Sequence, residues 1–473
     1  MGFTNGAKFD LNVSGIAGFF GGDESIAAMA SVNLIRYRWL LGWYNSPGNY
    51  FVSRKYGIIA GNRVWDGLFP GKDYTPATIL GLDGQFGPRF LGAKMGTSID
   101  MTGHLAYLLF SHRKDPDAFD PLHHNQNVGL RDSSSPPSTT VSVSAINPQQ
   151  TSRYSYSVTM VSMDDSFIDN AKLTPETDDF VMDEFLKPMR VMSFIAAFLT
   201  IGFSVGSAVV AAVVWHDYFC CIAISIGIIC NGFACLIYGS ATLRLFSPRI
   251  LYLDPSKPIP GDGILVREND IVVLRGPESK IGTIKRGCYE LVYPEKAPYH
   301  RVGFMSILLV FQAFAQIAII PVATLRGQII FLATFALSWL YNGYLASVDR
   351  EKLQFGALSN VLGLSMPETV NFSTWSAAVA ASTFLLCPSC PEDWLRQLIP
   401  NNVPVWIKWR ECMVKAIECR TQGGEPTFDL PPGVDKWGTD DKKRLEFQLQ
   451  NAKVGYDWYC RYLQGDKMYC KHG

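Results

Sequence analysis

Four stretches of the chain, residues 191–215, 218–242, 302–325 and 327–348, each run for more than twenty positions without an acidic or basic side chain. Each is dense in Ile, Leu, Val, Phe and Ala. Crossing ~30 Å of hydrocarbon takes about 20 apolar residues in a helix. One Asp or Arg at the centre of such a helix costs about 2.5–3.5 kcal/mol. Complete exclusion of charge over these lengths predicts four transmembrane helices. His216-Asp217 joins the first pair and Arg326-Gly327 the second, so each pair reads as a hairpin of antiparallel neighbours. A fifth uncharged stretch, 369–391, is broken by Asn371, Ser373, Thr374, Ser376, Ser382 and Thr383. Only 377–387 is continuously apolar, the length of a buried core helix or a re-entrant piece, and a fifth span stays open as the alternative.

Lys and Arg near the span ends set the expected orientation. Lys187, Arg190, Arg244, Arg249, Lys296, Arg301, Arg350 and Lys352 flank one side, and Arg326 stands alone on the other. The bias places both termini and the long central loop in the cytosol. Trp339, Tyr341 and Tyr344 lie at the matching end of the fourth span, as an interfacial aromatic belt would.

Outside the spans the pattern changes character. Residues 26–44 are apolar apart from Arg36 and Arg38 and follow Asp23 and Glu24, which suit a helix N-terminus. A core helix of an N-terminal domain is expected there, with an interfacial helix as the other reading. Residues 132–153 are rich in Ser, Thr and Pro and read as a linker or surface loop. Within the central loop, runs at 250–253, 263–266, 270–274 and 288–293 are β-branched and aromatic and are separated by turn sequences, which predicts a small β-module. Leu445, Leu449, Ala452, Tyr456, Tyr459 and Leu463 form a helical apolar stripe, with a shorter one at Trp406, Met413 and Ile417. The expected fold is therefore mainly α: a polytopic membrane protein with two transmembrane hairpins, an α+β N-terminal region, a β-rich middle loop and a helical C-terminal tail. Its expected boundaries are 1–130 for the N-terminal region, 131–188 for the linker and approach to the membrane, and 189–242 for the first hairpin. The loop at 243–301, the second hairpin at 302–348 and the tail at 349–473 complete the chain.

Composition limits the function. The 42 basic and 42 acidic residues cancel, which removes an electrostatic case for nucleic acid. Only 48% of residues are hydrophobic and mean hydropathy is +0.09, so much of the chain lies outside the bilayer. Of the eleven cysteines, Cys220, Cys221, Cys230 and Cys235 share one apolar run and the others are scattered, as free thiols in a reducing compartment would be. The N-terminus shows no secretory signal, and Gly6 stands where a myristoylation pattern needs Ser or Thr.

Several short motifs resolve into structural readings. Gly202-Phe203-Ser204-Val205-Gly206 matches the nucleophile pattern GxSxG, but it lies mid-span and no span contains a histidine. Gly202 and Gly206 also form GxxxG, which predicts close helix packing, and Ala223 and Gly227 extend that theme on the second span. Asn231, Gln312, Gln316 and Gln328 are the intramembrane amides, expected to lock the hairpins together; a polar permeation path is the functional alternative. Cys387 and Cys390 form a CxxC without a second pair at zinc spacing. His112, Asp115, Asp117, Asp120, His123 and His124 match no known metal spacing, and 67–73 lacks the Ser or Thr of a phosphate loop. No catalytic, cofactor or metal site is expected from these residues.

The sequence PIPGDGILV at 258–266 resembles the actuator module of P-type ATPases, yet neither DKTG nor TGE occurs in the chain. Its PGDG and IVVLRG motifs between two hairpins, followed by GQIIFLATFALSWLYNGYLASVDREK, are more similar to uncharacterised fungal multi-span membrane proteins. That likeness covers roughly residues 190–355. It implies four spans and a β-loop, and no activity. The expectation is a non-enzymatic scaffold or adaptor in the lipid bilayer, self-associating or binding a protein partner through its C-terminal helices. An oligomeric small-solute or lipid transporter is the alternative.

Overall fold

The computed structural model describes residues 23–48, 50–71, 74–113, 155–163, 173–174, 177–181, 191–247, 260–296 and 299–469. The chain is mainly helical, and four helices are long and apolar enough to cross a membrane: Val191–Val213, Tyr218–Tyr238, His300–Val322 and Leu325–Ala346. They begin and end where the charge-free stretches do, because helix-forming apolar residues continue until a capping group intervenes. Asp217 accepts from Cys220 N at 3.0 Å and starts the second helix, and Thr324 accepts from Gly327 N at 3.2 Å and starts the fourth. Asp217 also accepts from Thr324 N and Oγ1, both at 2.7 Å, so one carboxylate ties the turns of both hairpins together. Large apolar side chains such as Phe198, Leu199, Phe304, Phe311, Phe314 and Leu340 point outward and are exposed. A soluble protein seldom leaves so continuous an apolar surface uncovered.

Ten strands lie among the described residues: β1 Arg89–Gly92, β2 Ser98–Ile99, β3 Tyr156–Ser162, β4 Leu173–Thr174, β5 Thr177–Val181, β6 Thr242–Phe246, β7 Gly263–Arg267, β8 Asp270–Arg275, β9 Cys288–Val292 and β10 Glu368–Phe372. The chain divides into two compact units, neither continuous in sequence. The first comprises Met1–Gly84, Lys172–Phe246 and Tyr289–Ala357, and the second Gln85–Ala171, Ser247–Cys288 and Leu358–Gly473.

In the first unit the second apolar helix packs on the first and the third, and the fourth packs on the first. The helix Asp23–Ala30 lies on the fourth, and Tyr50–Ile59 lies on the third. A four-stranded sheet, ordered β4-β5-β6-β9, completes this unit. The second unit holds a six-stranded sheet ordered β10-β3-β8-β7-β1-β2, antiparallel except for the parallel pair β3 and β8. One face, built from Leu91, Val158, Met160, Ile264, Ile271 and Val273, shares a core with the helices Trp375–Leu386, Pro404–Thr421 and Thr439–Tyr469. The other face is also buried: Phe90, Leu265, Val272 and Leu274 are at most 0% exposed. Strand β8 therefore reads DIVVLR without alternation, as a strand covered on both faces must.

Two expectations change, and two open alternatives close on the core-helix and own-domain readings. The central loop is no self-contained β-module: β6 and β9 join the first unit's sheet, while β7 and β8 join the second unit's. Strand pattern reveals that a segment is extended but not which distant strand it pairs with, and here the partners are β1 and β3. For the same reason the boundary at 131–188 fails, since β3 is an interior strand, and the 1–130 region is shared between the units at Gly84. The stretch 369–391 is neither a span nor re-entrant. It supplies β10 and then Trp375–Leu386, whose residues Ser376–Leu386 are all buried in the second unit's core. The C-terminal stripe packs on that same helix and on Pro404–Thr421 within the chain, with Leu445, Leu449 and Ala452 fully buried. Residues 132–153 lie outside the described residues, as do Asp115, Asp117, Asp120, His123 and His124.

Candidate functional site

Polar side chains inside the helical bundle form the most chemically distinctive cluster in the first unit, and a non-helical stretch organises them. After Asp23–Ala30 the chain makes two short 3-10 turns, Ser31–Asn33 and Arg38–Leu41. Residues 42–48 then run irregularly among all four apolar helices, placing backbone N–H and C=O groups where water does not reach. Such groups are costly unless paired. Each helix supplies a partner. Asn231 Nδ2 of the second donates to Gly42 O at 2.6 Å. Asn45 N donates to Ser204 Oγ of the first at 3.1 Å, and Ser338 Oγ of the fourth donates to Asn45 O. From the third, Gln312 Nε2 donates to Ser46 O at 2.6 Å, and Gln316 Oε1 accepts from Gly48 N at 3.3 Å.

The side chain of Asn45 completes the network. Its Nδ2 donates to Thr334 Oγ1 at 2.8 Å, and its Oδ1 accepts from Gln316 Nε2 at 3.2 Å. Gln316 Nε2 also donates to Ala223 O at 3.2 Å. Close approach is possible because small residues face one another: a Cβ on Gly48 would stand 2.7 Å from Leu309 O, and a Cβ on Gly227 would overlap the Asn45 amide. One turn nearer the bundle end, Arg38 is 1% exposed. Its Nη2 donates to Tyr44 Oη at 3.3 Å, and Tyr44 Oη donates to Asn342 Oδ1 at 2.7 Å. The guanidinium lies 5.4 Å from the Tyr341 ring centroid and 6.0 Å from that of Tyr44.

The sequence-predicted residues fall into three groups. Asn231, Gln312 and Gln316 come together as one cluster; all three hold residues 42–48, and Gln316 alone also bridges the hairpins, through Ala223 O of the second helix. Gln328 does not join them: its Nε2 donates locally to Ala323 O at 3.1 Å, at the turn before its own helix. Ala223 and Gly227 lie on the packed face, against Gln316 and Asn45. Gly202 and Gly206 do not, since a Cβ at either would meet nothing within 4 Å. The packed face of that helix runs instead through Ala197, Thr200, Ser204 and Ala211, all buried. The GxxxG expectation fails within this chain because the intervening Ser204, half a turn away, is what faces inward.

The expectation for 26–44 fails as well. This stretch is not one continuous helix of a separate domain: the helix ends at Ala30, packs on the fourth apolar helix, and leads through two 3-10 turns into the insert. Arg38, Tyr44, Asn45 and Asn342 were missed by sequence reasoning. The available signal was a pair of arginines inside an otherwise apolar run, beside Trp39, Trp43 and Tyr44.

Outside the bundle, the second unit carries two buried ion pairs. Lys285 pairs with Glu278 and lies 5.1 Å above the Phe90 ring. Arg113 Nη2 and Asp270 Oδ2 stand 2.6 Å apart, and burial pulls the Arg113 guanidinium below its usual range while Asp270 opposes that shift. Both pairs sit against the sheet and read as structural. Cys387 and Cys390 are free, and no group of three or more metal-ligating side chains occurs among the described residues. The chain matches no family model, no curated protein and no solved structure.

Proposed function

We propose that this chain is a multi-pass integral membrane protein acting as a non-enzymatic scaffold, which tethers its second unit to the bilayer. The observation that carries this reading is the use made of the bundle's amides. Asn231, Gln312 and Gln316 are engaged with the chain's own residues 42–48, which occupy the place a solute path would need. Polar residues lining a route must exchange partners with the passing solute, whereas these are already bonded to backbone at 2.6–3.3 Å. The distribution of Lys and Arg puts both termini on the cytosolic side in this proposal, and the fungal-like resemblance remains part of it.

The native thiols provide a test. In permeabilised vesicles a small, charged thiol reagent followed by site-resolved mass spectrometry should modify exposed Cys390 and leave buried Cys230 and Cys235 untouched. Reconstituted vesicles should show no flux of ions or small solutes above protein-free controls. Modification of Cys235 together with solute flux would replace the scaffold with an oligomeric transporter. In intact cells an impermeant reagent should miss Cys288, Cys412 and Cys460; labelling of Cys288 would reverse the proposed orientation.

A further inference from the structure

Arg38 is the only arginine or lysine buried in the described part of the helical bundle, and no described side chain neutralises it. Its guanidinium stays protonated in any protein environment. The titratable groups that face it are Tyr44, Tyr341 and Cys235, all neutral in their protonated forms. No described carboxylate pairs with it. Of its nitrogens, Nη2 is bonded to Tyr44, while Nε and Nη1 have no hydrogen-bond partner. Cation–π contact with two rings offsets part of the charge and supplies no acceptor. An uncompensated charge inside a bundle is expensive, and those found in such places commonly mark a bound group.

The structure provides room for one. Arg38 borders a cavity of about 20 Å³ whose polar lining comes from Ser25, Tyr44, Ser46, Asn231 and Asn342. That is space for one body the size of a water molecule. Asn342 accepts from Tyr44 with Oδ1, so its Nδ2 is the end left to donate. We propose that this cavity is a halide site, holding one chloride ion against Arg38 with Asn342 as a second donor. A water molecule would satisfy the hydrogen bonds but not the charge. A free phosphate or a lipid headgroup is larger than that volume. Asn342 lies about 6 Å from the end of its helix at 1.5 Å per residue, so the site is one turn from solvent. The site holds the ion and does not conduct it, because residues 42–48 close the bundle beyond it. This inference stands independently of the scaffold reading.

The test uses the full-length protein in nanodiscs at constant ionic strength, with chloride or bromide exchanged for gluconate, which the cavity excludes. Thermal stability should rise saturably with halide. At ten times the Kd the folded-to-unfolded ratio should gain about elevenfold. Arg38→Gln should lose that dependence. Asn342→Asp places a carboxylate beside Arg38 and should make the protein stable without halide, so the proposal stays testable if Arg38→Gln fails to fold. Bromide bound to the wild type should give an anomalous-scattering peak beside Arg38. Equal melting in chloride and gluconate would overturn the proposal. Halide dependence that survives in both variants would overturn it equally.

Discussion

Replacing Gln316 with leucine tests the central structural argument most directly. The side chain is 4% exposed and makes three well-formed contacts: it accepts from Gly48 N at 3.3 Å and donates to Asn45 Oδ1 and Ala223 O, each at 3.2 Å. Ala223 O lies within a helix and retains its i+4 partner, so its loss is small. Gly48 N and Asn45 Oδ1 become orphans. A buried orphan costs about 1–3 kcal/mol in water-soluble proteins. Polar contacts measured within bilayers average only about 0.6 kcal/mol. The expected loss is therefore about 2 kcal/mol, between a floor of about 1 and a ceiling near 6. Leucine has similar bulk, so little of this comes from a cavity.

The double variant sharpens the test. Asn45→Leu alone removes the partner of Gln316 Nε2 and the donor to Thr334 Oγ1, which keeps its own bond to Phe331 O at 2.7 Å. The contact between Asn45 and Gln316 is counted in both single variants, so the pair together should cost about 1 kcal/mol less than the sum. Reversible unfolding in mixed detergent, or steric trapping in bicelles, reads these differences. Strict additivity, or a Gln316→Leu protein as stable as wild type, would refute the claim that this amide holds the insert.

Other positions separate the packed face from the open one. Gly206→Leu should change stability by less than about 0.5 kcal/mol in the monomer, whereas Gly227→Leu, driven into the Asn45 amide, should cost about 3 kcal/mol or more; equal effects in the same unfolding assay would show the faces misassigned. In the second unit, Gly455→Ala would press its methyl group against Ala377 O and stand 2.9 Å from Ala381 N, so a loss of about 1–3 kcal/mol is expected by denaturant titration. The Tyr456 hydroxyl is pushed up to about 12, mainly by burial and then by its hydrogen bond to Cys460. The folded state thus keeps a proton that the unfolded chain releases near 10. Its contribution is complete below pH 10 and is lost as pH rises towards 12, and Tyr456→Phe should flatten that part of the alkaline stability profile.

The four apolar helices were legible because exclusion of charge is a property of each segment alone. Their ends agree with the structure within a few residues, since Asp217 and Thr324 are local capping signals. The division into two units was not legible. Strands β7 and β8 are recognisable as strands from GILV and DIVVL, but their outer neighbours lie far off in the sequence: 177 residues separate Arg89 in β1 from Val266 in β7, and 113 separate Ser157 in β3 from Asp270 in β8. Apolar length without charge was also ambiguous for Trp375–Leu386, which is as apolar as a span yet too short and enclosed by protein. In the bundle, the amides at 231, 312 and 316 marked the right place. Their partner was hidden, because the conformation of 42–48 is fixed by side chains roughly 160–300 residues later and carries no local signature.

That hidden partner follows from a more general imbalance. Carbonyls and amides in the middle of a helix are already bonded to each other, so a helix offers little to a polar side chain on its neighbour. Asn231, Gln312, Gln316, Ser204 and Ser338 sit on four different helices, and a bundle of four helices alone would leave most of them seeking partners. Irregular backbone has the opposite need, with free N–H and C=O groups that require side chains when buried. The two requirements are complementary here almost group for group: Gly42 O, Asn45 N, Asn45 O, Ser46 O and Gly48 N are each met by one of those five side chains. Polar residues distributed over every helix of an apolar bundle are thus better explained by an inserted stretch than by pairwise contacts between helices. Arg38 fits the same logic only in part, since Nη2 finds an acceptor in Tyr44 Oη and the charge finds two rings, but Nε and Nη1 find no acceptor. Gln312 Oε1 and Tyr341 Oη also lack partners among the described residues, but Arg38 is the group that carries a charge, and a charge calls for a ligand.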